Sequence, residues 1–241
     1  MKIVTIDFET YYDKAFSLSK MTTEEYVRSA QFEVIGMGIK FDDGPAEWVD
    51  GPDVATYLKE TDLSGHAILC HNTMFDGAIL SWLYGVKPKA WLDTLCMARA
   101  IHGVDAGGSL KALAERYDIG EKGNEVINAL GKRRCDFSSD ELSRYASYCR
   151  NDVELTYKLF SIISDGFPAK ELKVIDLTLR MFIEPKLELN LPLLESHLES
   201  VKEKKAALLA AAESDRESLM SNDKFAELLR GLNVEPPKKI S

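Results

Sequence analysis

Two carboxylates stand at the end of the first apolar run of the sequence. Residues 2–8 (KIVTIDF) read as a buried strand, and Asp7 and Glu9 lie at its carboxyl end. Residues i and i+2 of a strand point the same way, so both acids project to one side. Close acids repel and burial raises the cost of their charges, and a divalent cation would resolve both problems. The alternative is an exposed strand end with two solvated acids.

Asp76 is an acid in an apolar helical pattern. On a helix over 73–84, Ile79, Leu80 and Leu83 fall on the face that carries Asp76. A carboxylate on that apolar face is an anomaly that the local pattern does not explain. The alternative is an acid near a helix N-terminus, where the helix dipole favours it.

Asp152 repeats this anomaly one helical turn after Tyr148. It falls inside an apolar stripe formed by Leu142, Tyr145, Cys149, Val153, Leu159, Phe160 and Ile163. Burying an unpaired charge costs several kcal/mol or forces its neutralisation. A metal shared with the acids of the first strand would compensate it. A salt bridge with Arg150 or Arg116 is the alternative, although Arg150 lies well around the helix.

The donor set favours a particular kind of metal. Hard oxygen ligands suit Mg²⁺ or Mn²⁺ rather than zinc or copper. Four carboxylates without a nearby histidine or cysteine ligand fit a two-metal phosphoryl-transfer site, and Tyr148 is placed to hold a water. The four cysteines are widely separated, which favours buried apolar side chains over a zinc site or disulfides.

The elements that must position these residues follow from periodicity. We predict strands over 2–8, 32–41, 46–49, 67–70 and near 91–92. Helices are predicted over 53–60, 73–84, 93–101, 109–117 and 139–164. Strands in hairpin order, followed by strands alternating with helices, predict an α/β fold with a mixed sheet flanked by helices.

The pattern changes after about residue 165, where strand-like runs end. Helices are predicted over 169–184, 191–220 and 223–232. We therefore divide the chain into a domain of residues 1–165 and a helical extension of residues 166–241. The segment 191–220 is too irregular for a good coiled-coil seam, so packing on a neighbouring domain is preferred to a partner-binding coiled coil.

Composition sets the broad class. The chain has 241 residues, 45% of them hydrophobic, with a net charge of −9. No apolar run approaches the ~18 residues needed to span a bilayer, and the N-terminus lacks signal-peptide features, so we expect a cytoplasmic protein without a membrane partner. The acidic excess argues against nucleic acid only weakly, because a site that binds phosphate through metal ions must be rich in carboxylates.

The motifs resemble those of a known family. Asp7-Phe8-Glu9-Thr10, Asn72-x-x-Phe75-Asp76 and Tyr148-x-x-x-Asp152 resemble, in order and separation, the three motifs of the DEDD 3′–5′ exonucleases. Position 147 is Ser, so the histidine variant is absent and Tyr148 indicates the tyrosine subgroup.

The resemblance extends to the exonuclease region of bacteriophage-type family-A DNA polymerases. It includes residues 91–94 (WLDT), 109–111 (SLK) and 222–241. No polymerase catalytic motif follows, so we expect no nucleotide polymerisation by this chain.

The resemblance implies a ribonuclease H-like mixed sheet of about five strands, with the second antiparallel. It also implies hydrolysis of the 3′-terminal phosphodiester of DNA with two divalent cations, Mg²⁺ or Mn²⁺. By analogy, Asp7, Glu9 and Asp152 hold the first metal, and Asp7 bridges to the second. Asp76 supports the second metal directly or through water, while Glu9 and Tyr148 orient the attacking water.

Substrate contacts are expected at the motif edges. Thr10, through its backbone, and Asn72 are candidates to contact the terminal nucleotide. Phe75 and Met74 are candidates to lie against its base, with core packing an equal alternative for Phe75. The basic cluster of residues 132–134 (KRR) is a candidate for the DNA backbone, with a merely solvated cluster as the alternative.

The main hypothesis is therefore a proofreading exonuclease acting on a single-stranded or frayed 3′ end of DNA. Its partners would include a polymerase domain or other replication proteins, and its location would be the host cytoplasm if the chain is of phage origin. The rivals are an RNA-trimming exonuclease of the same subgroup and a catalytically silent domain that binds nucleic acid or a protein partner.

Overall fold

The structure, a computed structural model, describes residues 2–123, 125–211 and 216–237, without the side chains of residues 126 and 127. One mixed sheet of five strands has the order β3-β2-β1-β4-β5. Its strands are β1 Ile3–Thr10, β2 Val34–Phe41, β3 Glu47–Asp50, β4 Ala67–Cys70 and β5 Ala90–Asp93. β2 is antiparallel to β1 and β3, whereas β4 is parallel to β1 and β5. The expected α/β fold with a mixed five-stranded sheet is confirmed.

Helices account for most of the remaining described chain. They are α1 Thr23–Val27, α2 Gly51–Glu60, α3 Thr73–Tyr84, α4 Thr94–His102, α5 Leu110–Tyr117, α6 Ser139–Ile163, α7 Ala169–Ile183, α8 Leu191–Ala211, α9 Arg216–Met220 and α10 Asn222–Gly231. The predicted helices of the first 184 residues match to within two residues. Residues 212–215, inside the predicted helix 191–220, lie outside the described residues. α1 was not predicted, since five residues are too few for a periodicity signal.

Alternation along β1 sorts its side chains onto two faces. Val4, Ile6 and Phe8 join the core cluster that includes α3, whereas Asp7 and Glu9 face α6. β1 pairs with β4 only as far as Thr5, so its last residues extend beyond that strand. The two acids therefore lie at the carboxyl end of a central strand, where α/β sheets bind ligands.

A glycine on β2 sets how closely α6 approaches the sheet. Gly38 pairs with Asp7, and a Cβ added at Gly38 would lie 2.8 Å from Val153 Cγ2 and 2.9 Å from Cys149 Sγ. Any larger residue would push α6 away. Because α6 carries Asp152, this close contact brings Asp152 toward the acids of β1.

The chain forms two compact units, which divide after Lys186 rather than after residue 165. The difference arises because α7 packs with the sheet unit. The backbone N–H of Trp91 donates to Asp176 at 2.7 Å, and Trp82 Nε1 donates to the carbonyl of Ile183 at 2.9 Å. The second unit contains α8, α9 and α10. Within the described ranges, no helix is both long and apolar enough to cross a membrane.

Replacing Gly38 by alanine should move α6 outward. We expect Gly38→Ala to lower the free energy of unfolding by about 1–3 kcal/mol through overpacking. Urea denaturation would measure this change in the free energy of unfolding. Gly65→Ala is the matched control, because nothing lies within 4 Å of a Cβ at Gly65. Equal stability of the two variants would contradict the proposed close contact.

Candidate active site

Asp7 and Glu9 form the centre of the site. A carboxylate oxygen of each and the Sγ of Cys149 all lie within 4.8 Å of one another. The thiol of Cys149 donates to the carbonyl of Asp7 at 3.4 Å and approaches its Oδ2 at 3.6 Å. The structure therefore brings the two predicted acids together against α6, and the alternative of a solvated strand end does not apply.

Glu9 is held by a residue that the motif pattern did not identify. It is buried, and the hydroxyl of Tyr145 donates to Glu9 Oε2 at 2.5 Å. In the sequence, Tyr145 belongs to the apolar stripe of α6, and its hydroxyl gives no periodic signal. The hydrogen bond orients the Glu9 carboxylate, but burial still raises the pKa of Glu9 well above its usual range, with a further contribution from Asp7.

Asp76 connects α3 to β1. It is 3% exposed, and its Oδ1 accepts the backbone N–H of Phe8 at 2.9 Å. Phe8 lies beyond the last residue of β1 that pairs with β4. Asp76 therefore binds a backbone N–H on the part of β1 that has no β4 partner. Burial, and then the charge of Asp7, raise the pKa of Asp76.

The turn before α3 is fixed by another buried acid. Asn72 has φ 71° and ψ 53°, a left-handed conformation that asparagine tolerates better than most residues. Its N–H donates to Asp93 Oδ1 at 3.1 Å, and the same oxygen accepts the N–H of Leu95 at 2.8 Å. Asp93 thus fixes the point at which α3 begins, and hence the position of Asp76.

Asp152 has a cationic partner, but not one of the two arginines that the sequence suggested. Its Oδ2 pairs with the Nζ of Lys122, from the segment after α5. Arg150 and Arg116 hydrogen-bond elsewhere. Asp152 Oδ1 is buried and has no hydrogen-bond partner among the described residues. Lys122 therefore satisfies only half of this carboxylate.

Burial, reinforced by mutual repulsion, raises the pKa of the acids of the site. Burial first, and then the charge of Asp152, raise the pKa of Asp7 to about 7. Burial also raises the pKa of Asp152, against the opposing effects of Lys122 and of a hydrogen bond with Tyr148. Burial is thus the largest cause at each position, and the single ammonium of Lys122 compensates it only in part.

Tyr148 lies beside this cluster. Its ring stacks on Tyr145 with centroids 6.2 Å apart and planes 7° apart, and Lys122 Nζ lies 5.2 Å from its centroid. Burial, followed by the charge of Asp152, raises the pKa of Tyr148 above its ordinary value. The phenol therefore stays protonated at neutral pH, as a hydrogen-bonding group and not a base.

These residues fit hard divalent cations. The orphaned Oδ1 of Asp152 and the repelling carboxylates of Asp7 and Glu9 all gain from a cation bound between them. Cys149 is not a suitable thiolate ligand, since burial raises the pKa of its thiol well above the usual value. Oxygen donors alone favour Mg²⁺ or Mn²⁺ over zinc.

Two of the four residues predicted to contact the terminal nucleotide, Thr10 and Phe75, share a cavity with Glu9. The cavity has a volume of about 270 Å³ and is lined by Phe8, Glu9, Thr10, Tyr12, Ser17, Leu18, Tyr26, Phe75 and Tyr145. Thr10 Oγ1 and Tyr26 Oη lie 2.9 Å apart. Asn72 is exposed at the start of α3, outside this lining, and its role as a substrate contact stays a prediction.

The three side chains of the basic cluster of residues 132–134 form salt bridges with acids of the same chain. Lys132, Arg133 and Arg134 pair with Glu141, Glu33 and Asp50 at 2.6, 2.8 and 2.5 Å, respectively. Arg133 also lies over the ring of Tyr11 at 4.1 Å. These pairs join the segment before α6 to α6 itself, to the residue before β2 and to the end of β3. The fold itself therefore accounts for this run of positive charge.

Solved structures with the same fold are nucleases. Brucella melitensis NrnC is 18% identical with a TM-score of 0.54, over 76% of this chain and 83% of that one. Trypanosoma brucei RNase D is 16% identical with a TM-score of 0.57, over 76% of this chain and 64% of that one. The catalytic core of T. brucei RRP6 is 13% identical with a TM-score of 0.52, over 97% and 60%. The predicted ribonuclease H-like fold is thereby confirmed.

A sequence comparison points to the same class. Residues 48–166 match the family model described as 3′–5′ exonuclease. The matched range contains Asp76, Tyr148 and Asp152, whereas Asp7 and Glu9 precede it. The match covers a little under half of the chain. No curated protein matches the chain in sequence.

The repulsion in the site should be visible in stability. The environment of Asp7 raises its pKa from 3.8 to about 7 in the folded protein, so between these pH values the folded state holds a proton that the unfolded state has lost. This contribution to the free energy of unfolding falls as pH rises from about 4 to 7. We expect Asp7→Asn to stabilise the metal-free protein at about pH 8, by roughly 1–3 kcal/mol, and to remove stabilisation by Mg²⁺.

Urea denaturation in EDTA and in Mg²⁺ would measure both effects. The exposed acid Glu115 provides the control Glu115→Gln, which should leave both properties unchanged. An Asp7→Asn protein that is less stable than the wild type without metal would contradict the account.

Proposed function

We propose that this chain is a metal-dependent 3′–5′ exonuclease that hydrolyses the 3′-terminal phosphodiester of DNA and releases nucleoside 5′-monophosphates. The observation that carries the proposal is the convergence of acids from β1, α3 and α6. Glu9, Asp76 and Asp152 are buried and Asp7 is half-buried, while Lys122 pairs with only one oxygen of Asp152. A family model for 3′–5′ exonucleases over residues 48–166 supports it.

Asp7, Glu9 and Asp152 would hold the first divalent cation, and Asp7 and Asp76 the second. Such ions, when bound, lower the pKa of a water and stabilise the entering and leaving oxygens of phosphoryl transfer. One solved structure of NrnC carries bound Mg²⁺, which supports a metal requirement in this fold.

The protein side chains would place the attacking water. Tyr145 fixes one oxygen of Glu9, so the carboxylate has a defined orientation toward the site. The neutral phenol of Tyr148 would hold the water by hydrogen bonding, since its raised pKa makes it a poor proton acceptor. Glu9 and Tyr148 thus act as positioning groups.

The cavity beside Glu9 would receive the terminal nucleotide. Its walls include the aromatic rings of Phe75, Tyr12 and Tyr26, which suit stacking against a base of any sequence. Thr10 lies on the same wall, close to the acids. This arrangement favours an unpaired 3′ end, single-stranded or frayed, over a duplex end.

RNA is the second candidate substrate. The observation in its favour is that the structural neighbours include enzymes named RNase D, and that one NrnC structure is bound to pGG. Proofreading beside a family-A polymerase belongs to the DNA proposal and rests on the motif resemblance alone.

Matched DNA and RNA strands of one sequence, labelled at the 5′ end, test the proposal. We expect a ladder shortening from the 3′ end of DNA with Mg²⁺ or Mn²⁺, and none with EDTA or with Asp152→Asn. Faster shortening of RNA would establish the second candidate. Binding without hydrolysis of either strand, by folded protein with metal, would indicate the silent binding domain and refute an exonuclease.

Loss of the Tyr148 hydroxyl should slow turnover without abolishing metal binding. We expect Tyr148→Phe to lower kcat by roughly tenfold to a hundredfold, because misplacing the nucleophile has costs of this order. Steady-state kinetics and Mn²⁺ calorimetry would measure the two effects. Tyr57→Phe, on α2, is the control. Unchanged kcat in Tyr148→Phe would contradict the assigned role.

A further inference from the structure

Lys122 is the one basic side chain that forms a salt bridge with the proposed ligand acids in the described part of the chain. Its Nζ pairs with Asp152 Oδ2, and its side chain is 26% exposed against 4% for Asp152. Its charge also lowers the pKa of Asp7 and of Glu9, against the larger effect of burial. The ammonium therefore lies within the field of three acids that would hold the first metal.

The segment that carries Lys122 is held to α6 without this ion pair. Asn151 Nδ2 donates to the carbonyl of Glu121 at 2.9 Å, and Lys158 Nζ approaches the carbonyl of Ile119 at 3.5 Å. If Lys122 served only to anchor the segment, it would duplicate these contacts. The positive charge of Lys122 is better explained by the need of the buried Asp152 carboxylate for a counter-ion.

Lys122 and a divalent cation compete for the same position. Both would be bound by the carboxylate of Asp152, and two cations at one carboxylate repel. The ammonium also leaves Asp152 Oδ1 unpaired, so it is an incomplete substitute for a metal ion. A flexible four-carbon stem allows a lysine to leave without a change of the backbone.

We infer that Lys122 is a built-in counter-ion that neutralises Asp152 in the metal-free enzyme and that the first divalent cation displaces. The inference rests on the proposed function, because it presupposes the metal site. The displaced ammonium can enter the groove of about 470 Å³ beside Tyr148, which Lys122 lines together with Arg144, Ser147 and Asn151. Lys122 thus acts through Asp152, and its competition with the cation sets the metal concentration at which the site is filled.

Acetylation of wild-type lysines, followed by mass spectrometry, tests the displacement directly. An N-hydroxysuccinimide acetate would be applied in EDTA and in saturating Mg²⁺. We expect the labelling rate of Lys122 to rise severalfold with Mg²⁺, because the ammonium leaves the buried carboxylate. The rate at Lys158, on the same segment contact, should not change. An unchanged rate at Lys122 with bound metal would overturn the inference.

Calorimetry with Mn²⁺ tests the competition. Without its competitor, Lys122→Met should bind Mn²⁺ about fivefold more tightly than the wild type, as expected for loss of a half-buried ion pair. Its metal-free Tm should fall and recover with Mn²⁺. Lys122→Arg keeps the positive charge and should bind Mn²⁺ with the wild-type affinity. Lys158→Met removes a positive charge from a nearby lysine and should also leave the Mn²⁺ affinity unchanged.

The outcomes separate the inference from the proposed function. Equal or weaker Mn²⁺ binding by Lys122→Met, with normal binding by the wild type, would overturn the role of Lys122 and leave the exonuclease proposal standing. Absence of Mn²⁺ binding by folded wild-type protein would refute the metal site itself, and the inference with it.

Discussion

The rest of the structure depends on like charges that lie close together, with Glu9, Asp76 and Asp152 buried and Asp7 half-buried. Asp7 and Glu9 on β1, Asp76 on α3 and Asp152 on α6 each lose solvation, and burial is the largest cause of the raised pKa at every one of them. Only Lys122 offsets this cost by a salt bridge among the described residues, and only for one oxygen of Asp152. Such an arrangement lowers stability unless a cation binds, which is typical of a site selected for chemistry rather than for folding.

The surrounding fold maintains this arrangement through specific contacts. Gly38 allows α6 to lie close enough to the sheet for Asp152 to reach the acids of β1. Asp76 binds the N–H of Phe8 on the uncovered end of β1, and Tyr145 binds Glu9. Asp76 and Glu9 are therefore each held by a hydrogen bond to a neighbouring element, whereas Asp152 is paired with Lys122 from the segment after α5.

Sequence reasoning recovered the parts that have a period or a fixed spacing. The five strands follow from alternation, and the helices of the sheet unit other than α1 follow from the helical repeat. The acids of the three short motifs follow from carboxylates on apolar faces and at a strand end. Lys122 was missed, because a loop has no period that predicts what its side chains reach. Tyr145 was interpreted as part of the apolar core, because the apolar pattern of α6 does not show that the Tyr145 hydroxyl has a hydrogen-bond partner. The predicted boundary near residue 165 differs from the division after Lys186. The packing of α7 against β5 is a contact between residues far apart in the sequence, and local patterns do not reveal such contacts.

The most direct test of the central claim is the location of bound cations. Crystals soaked in Mn²⁺ would be examined for anomalous scattering. We predict a peak coordinated by Asp7, Glu9 and Asp152, with Lys122 no longer paired to Asp152. Soaked crystals without a peak at these carboxylates, or with Mn²⁺ bound only at surface acids, would contradict the conclusion that the buried acids form a metal site.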